Sequence, residues 1–99
     1  PSMIRHIVLL KLKEETTEET IEGIKTTLRA LPGQIPEISN YVCGQDLEVS
    51  AGTADLGIMA DFENVESYKT YSTHPAHVAA VHDVVKPHVA GKTALQIEL

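Results

Sequence analysis

The chain has 99 residues, room for one core rather than two, and its hydrophobic fraction of 42% is too high for a disordered polymer. Eight basic against fourteen acidic residues give a formal net charge of −6, and the basic ones are dispersed. That excludes the concentrated positive surface which nucleic acid or an anionic membrane would require.

The single cysteine, Cys43, cannot form an intrachain disulfide and fits a reducing, cytoplasmic setting. No apolar run approaches the ~20 residues of a membrane span, and the N-terminus has no signal-peptide pattern. Met3 reads as the natural start, with Pro1 and Ser2 as a cloning remnant.

The opening stretch "MIRHIVLLKLK" (residues 3–13) reads as a strand. Ile4, His6, Val8, Leu10 and Leu12 share one face; Met3, Ile7 and Leu9 share the other with Arg5 and Lys11. The unbroken apolar run from Ile7 to Leu10 implies burial on both faces. "TTEETIEGIKTTLRALPG" (16–33) follows as an amphipathic helix. Thr16 and Glu19 fit a capping box, Ile21, Ile24, Leu28 and Leu31 recur at helical spacing, and Pro32–Gly33 stops it.

"EISNYVCGQDL" (37–47) is a less apolar strand suited to a sheet edge. In "ADLGIMADF" (54–62), Leu56, Ile58, Ala60 and Phe62 lie on one face and Asp55, Gly57, Met59 and Asp61 on the other. Asn64 then caps a short helix carrying Val65, Tyr68 and Tyr71. Pro75 suits the first position of a further helix, which makes His74 its cap and lets it run to Lys86–Pro87. "KTALQIEL" (92–99) closes the chain as a strand.

The order is βαββαβ, an α+β ferredoxin-like arrangement over residues 1–99, with an antiparallel sheet and both helices on one face. Nothing in the chain remains to cover the other apolar face. A second copy of the same sheet is the economical cover, which predicts a two-fold homodimer with its sheets packed into a dimeric α/β-barrel.

Four of the five histidines fall in "TYSTHPAHVAAVHDVVKPH" (70–88). On a regular helix over residues 75–85, His77 shares a stripe with Val78, Val81, Val84 and Val85, and so points at the sheet. His6, among Val8 and Leu10, faces it from the first strand. Position in a first helical turn and desolvation both favour neutral imidazole at His77, the form a general base needs. Tyr71 is placed to hold or polarise a carbonyl oxygen.

A structural role is also compatible with these residues: His77 bonded to backbone and Tyr71 packing its ring. A metal site is not indicated. His74 serves as a cap, His82 turns to the solvent edge, His88 lies past a helix break, and nothing makes Asp83 or Glu66 converge with them. No glycine-rich phosphate loop or paired-cysteine pattern exists, so no cofactor is expected. Cys43 has no neighbour to activate it and reads as inert.

The segments "MIRHIVLLKLK", "LRALPGQIPEI", "FENVESYKTYSTHPAHVAAV" and "VKPHV" resemble the stress-responsive dimeric α/β-barrel (Dabb) family, in order and through nearly the whole chain. The resemblance implies a ferredoxin-like protomer in a barrel dimer and leaves the activity open. Plant polyketide cyclases of this family, olivetolic acid cyclase among them, have a Tyr and a His that fall on Tyr71 and His77, and an early-strand histidine that falls on His6. In them the pair is implicated in an aldol cyclisation. Leu56 and Leu28 stand where the cyclase has a histidine and a tyrosine, which implies a less polar pocket.

Two readings follow. One is a cofactor-free cyclase, lyase or isomerase for a small, largely apolar carbonyl compound. His77 and Tyr71 would be catalytic, with His6, Val8, Leu10, Leu28, Ile58 and Val81 around the substrate. The other is a non-enzymatic barrel that binds a small apolar ligand in the same pocket.

Overall fold

In the computed structural model, which describes residues 3–99, strand β1 (Ile4–Leu12) lies inside a four-stranded antiparallel sheet. The others are β2 (Asn40–Gln45), β3 (Leu56–Phe62) and β4 (Val89–Glu98), in the order β2-β3-β1-β4. Pro1 and Ser2, read above as a remnant, lie outside the described residues. The ferredoxin-like order is as expected, and the less apolar strand β2 takes an edge.

Register decides which side chains share a face. His6 is opposite Ala60 on β3 and Gln96 on β4, Val8 is opposite Ile58 and Ala94, and Leu10 is opposite Leu56 and Lys92. Paired residues point the same way, so these build the face under the helices. There Val8, Leu10, Leu56, Ile58, Ala60 and Phe62 are buried.

Helix α1 (Glu18–Arg29) covers this face with Ile21, Ile24 and Leu28, spaced three and four apart, as the periodicity predicts. Burying each such side chain stabilises the fold by roughly 1.5–3 kcal/mol. Its cap is Thr17 rather than Thr16. Thr17 has the extended backbone a cap needs, and its Oγ1 accepts the Thr20 N–H at 3.1 Å. The expected pairing of Thr16 with Glu19 does not form, and the Thr16 hydroxyl is buried without a partner.

Helix α2 (Val65–Thr73) begins at Asn64, whose Oδ1 accepts the Ser67 N–H at 2.8 Å. Helix α3 (Pro75–Ala79) begins at His74, whose Nδ1 accepts the Ala76 N–H at 3.0 Å. Both caps are the expected ones. The helix does not run regularly to Lys86, however. A π-turn at Ala80–Val85 and a 3₁₀ turn at Lys86–His88 lead into β4.

The wider turn rotates the chain, so that Ala80 and Val85, five residues apart, are both buried. Val78, expected on the inward stripe, is half exposed. Val78 precedes the π-turn, in the regular part of α3, where Ala76 and His77 are the less exposed residues and the projected stripe is too wide.

The opposite sheet face is open in the single chain. Leu9, Leu95, Ile97 and Val42 are 45%, 49%, 40% and 57% exposed, and the register sets Ile7 between Met59 and Leu95. One polar cluster interrupts this apolar surface. Arg5 donates through Nε and Nη2 to the two oxygens of Asp61, at 2.8 and 2.9 Å, and Asn40 adds a third donor at 3.3 Å. The Arg5 guanidinium holds the Asp61 carboxyl below the usual carboxylate range.

Tyr41 on β2 buries its hydroxyl with no hydrogen-bond partner. An unsatisfied buried donor costs ~1–3 kcal/mol, so Tyr41→Phe is expected to stabilise the fold by about 1 kcal/mol. Denaturant melts check this; an unchanged or lower midpoint contradicts it.

Candidate functional site

Between the covered sheet face and the helices lies a cavity of about 360 Å³, in the size range of small-ligand sites. Its floor is His6, Val8 and Leu10 of β1 and Ile58 of β3, and its walls include Leu28 of α1, Tyr71 of α2, His77 of α3 and Val81 of the π-turn. All eight positions singled out in the sequence thus surround one space. Val85, on the projected stripe of His77, lines it too, as do Tyr68, Ser72, Lys86, Val89 and Lys92, which were not anticipated.

Tyr68 had a readable signal, since three residues before Tyr71 puts both rings on one side of a helix. The two lysines had none, because they enter through the irregular turn and an edge strand. Leu28 lines the cavity where the resemblance places it; Leu56 is buried in the core outside it.

The "HPAH" stretch orients His77 by a chain of backbone substitutions. Had α2 continued, the Ser72 carbonyl would have taken the Ala76 N–H, four residues on. His74 Nδ1 accepts that N–H instead. The Ser72 carbonyl is left for His77 Nδ1, 3.0 Å away. A carbonyl can only accept, so Nδ1 carries the proton and donates it. In the neutral ring Nε2 therefore holds a lone pair. Among the described residues no protein group bonds to Nε2. Burial pushes the His77 pKa below its ordinary value, against the opposing pull of the Ser72 carbonyl.

His6 has the opposite tautomer. The Gln96 amide N–H donates to its Nδ1 at 2.9 Å, which puts the imidazole proton on Nε2. Burial, with the fields of His77 and Lys92, pushes its pKa down to about 4. Near neutral pH, then, the cavity is bounded by one imidazole with a free lone pair and another with a free N–H.

Tyr71 is 3% exposed, with its ring centroid 4.2 Å from that of His77, 4.9 Å from Phe62 and 6.1 Å from His6. Tyr68 closes the group at 5.0 Å from His6. Burial raises the Tyr71 pKa, so its hydroxyl keeps its proton. Among the described residues that hydroxyl donates to no protein acceptor.

The remaining histidines diverge from this group. His74 is occupied as a cap, and exposed His82 bonds Asp83 at 2.9 Å. Glu66 pairs with Lys69 at 3.7 Å. Among the described residues no three His, Cys, Asp or Glu side chains converge on a possible metal position. Cys43 is buried on β2, and burial pushes its thiol pKa up.

The His6 shift has a stability consequence. Between pH ~6.5 and ~4 the unfolded chain binds a proton at this site and the folded chain does not, so stability falls as pH drops through that window. The full effect is about 3 kcal/mol. In His6→Gln, the unfolding free energy should fall less steeply over this range than in the native chain; equal slopes would exclude His6 as the source.

These features define a ferredoxin-like protomer with a partly open, mainly apolar cavity walled by two neutral histidines and a tyrosine. The chain belongs to the stress-responsive A/B barrel domain (Dabb) family, whose model matches residues 4–98. It is similar to a dimeric ferredoxin-like protein of unknown function from Thermobifida fusca: 36% identity, 99% of this chain and 92% of that one covered, TM-score 0.92. A dimeric protein of unknown function from Bacteroides fragilis has 28% identity, coverage of 98% and 96%, and a TM-score of 0.86. The hydroxynitrile lyase of Passiflora edulis shares the fold at 19% identity, with coverage of 100% and 94% and a TM-score of 0.88. Among curated proteins none matches the chain.

Proposed function

We propose that this protein is a cofactor-independent enzyme of the cyclase, lyase or isomerase type, which draws a proton from carbon beside the carbonyl of a small apolar substrate. The observation that carries this reading is the fixed His77 tautomer, with Nδ1 held by the Ser72 carbonyl at 3.0 Å and Nε2 free. His77 Nε2 takes the proton from the α-carbon, and the C–H electron pair moves into the developing enolate. The Tyr71 hydroxyl and the His6 Nε2–H donate to the enolate oxygen.

The imidazolium so formed lies against the Tyr71 ring, an aromatic face that favours positive charge. Return of the proton to a different atom gives isomerisation; attack of the enolate carbon on a second carbonyl gives cyclisation. The fold is compatible with lyase chemistry, since a hydroxynitrile lyase shares it. The same cavity without turnover would make the protein a small-ligand binder, the alternative reading.

The direct test is exchange of the α-hydrogens of 2-octanone in D₂O. Exchange accelerated by the native chain supports the enzyme; binding without acceleration leaves the binder. Because burial lowers the His77 pKa, the base stays neutral to lower pH than a free histidine. The acid limb of kcat/KM should accordingly lie below pH ~6.5; a limb at or above that value contradicts the assignment.

The working form is a homodimer joined through the open sheet faces, in line with the dimeric relatives from Thermobifida fusca and Bacteroides fragilis. Free Cys43 supports a reducing, cytoplasmic setting. Among the described residues no helix is long and apolar enough to cross a membrane.

A further inference from the structure

In a chain with fourteen acidic and eight basic residues, the charged residues lining the cavity are two lysines, Lys86 and Lys92, and no carboxylate. Lys86 opens the 3₁₀ turn after the π-turn. Lys92 stands on β4 opposite Leu10, so its stem leaves from the cavity side of the sheet. Both residues are exposed, which puts their charges at the mouth rather than in the apolar interior.

Neither ammonium belongs to any salt bridge among the described residues. The neighbouring carboxylate of Asp83 is bonded to His82. The field of Lys92 also reaches inward, depressing protonation of both His6 and His77. Two cations without a carboxylate partner, at the rim of a low-dielectric hollow, focus a positive potential on its entrance. An anion there would neutralise it.

We propose that the cavity takes an amphiphile with a single anionic head, held at the mouth by Lys86 and Lys92, with its apolar body between Val8, Leu28 and Val81. This names the substrate class for the site above and rests on the reading of the cavity as a ligand site. Ammonium groups act as point charges, so a carboxylate and a phosphate monoester both meet the requirement.

The test is titration calorimetry at low salt with octanoate, octyl phosphate, 1-octanol and octylamine. At least one of the two anions should bind about 5–10-fold more tightly than 1-octanol, the combined effect of two exposed charge pairs. Octylamine should bind more weakly than the alcohol, and added salt should erase the preference. Lys86→Met/Lys92→Met should lose the preference while still binding 1-octanol.

Equal affinity of anions and alcohol, or an undiminished preference in the double variant, overturns the head-group assignment and leaves the cavity reading standing. Leu28→Trp, which fills the cavity, separates the two: 1-octanol binding unaffected by it overturns the cavity reading itself. If no probe binds the native chain, both fall.

Discussion

His77→Ala should lower enzyme-accelerated exchange of 2-octanone α-hydrogens by about 10²–10⁴-fold, the usual contribution of a positioned general base. Tyr71→Phe should lower it by about 10²-fold, as expected for one donor to a developing oxyanion, while the retained ring keeps the packing. Three aspects of the site bear on the first magnitude. The His77 proton is held on Nδ1 by a backbone carbonyl, so the basic nitrogen is the one left free. Burial keeps the ring neutral near pH 7. The adjacent Tyr71 ring faces the charge that develops.

A purely structural His77 would give a different pattern: exchange unchanged, with a loss of stability when the Ser72 bond is removed. Measuring exchange and unfolding midpoint on the same preparations separates the two. Accelerated exchange that survives both substitutions removes the catalytic assignment. A double variant no worse than His77→Ala alone would show that the pair acts as a unit.

The sequence carried the sheet and most of the cavity because both depend on periodicity. Alternation along β1 puts His6, Val8 and Leu10 on one face regardless of tertiary detail, and Leu28 follows from the spacing in α1. The caps at Asn64 and His74 were legible for the same local reason: each is a polar side chain immediately before a helix start. The segment after Ala79 was not legible. The residues Ala80–Val85 are all compatible with a regular helix, yet they form the π-turn that buries Ala80 and Val85 in the core.

Everything positioned by that turn was correspondingly hidden. Lys86 and Val89 follow it in the chain and join the cavity. The His77 tautomer was hidden too, because it depends on a carbonyl released five residues earlier by a competing cap. The Thr16–Thr17 difference is smaller in kind. Two adjacent threonines both offer a capping hydroxyl, and the backbone of the second is the one in extended geometry.

Leu9→Glu should convert the native dimer to monomer at micromolar concentration, weakening association by about 10³-fold or more. Leu9 lies on the uncovered sheet face and is 45% exposed in the single chain, near Ile7, Met59 and Leu95 in the register. In a two-fold interface each substitution acts twice. Leu9 is already about half covered in the single chain, so losing its burial in the interface removes roughly 0.7–1.5 kcal/mol per copy, before the added cost of desolvating two carboxylates. A factor of 10³ corresponds to about 4 kcal/mol; the lost apolar burial supplies roughly 1.5–3 kcal/mol over two copies, and desolvation of the two carboxylates supplies the rest.

The same substitution leaves the cavity side of β1 untouched, because Leu9 points away from Val8 and Leu10. Ligand binding per chain should therefore persist in the monomer, provided it remains folded. The native chain sedimenting as a folded monomer at micromolar concentration would contradict the dimer. A Leu9→Glu chain that still sediments as a dimer would place the interface elsewhere on the surface.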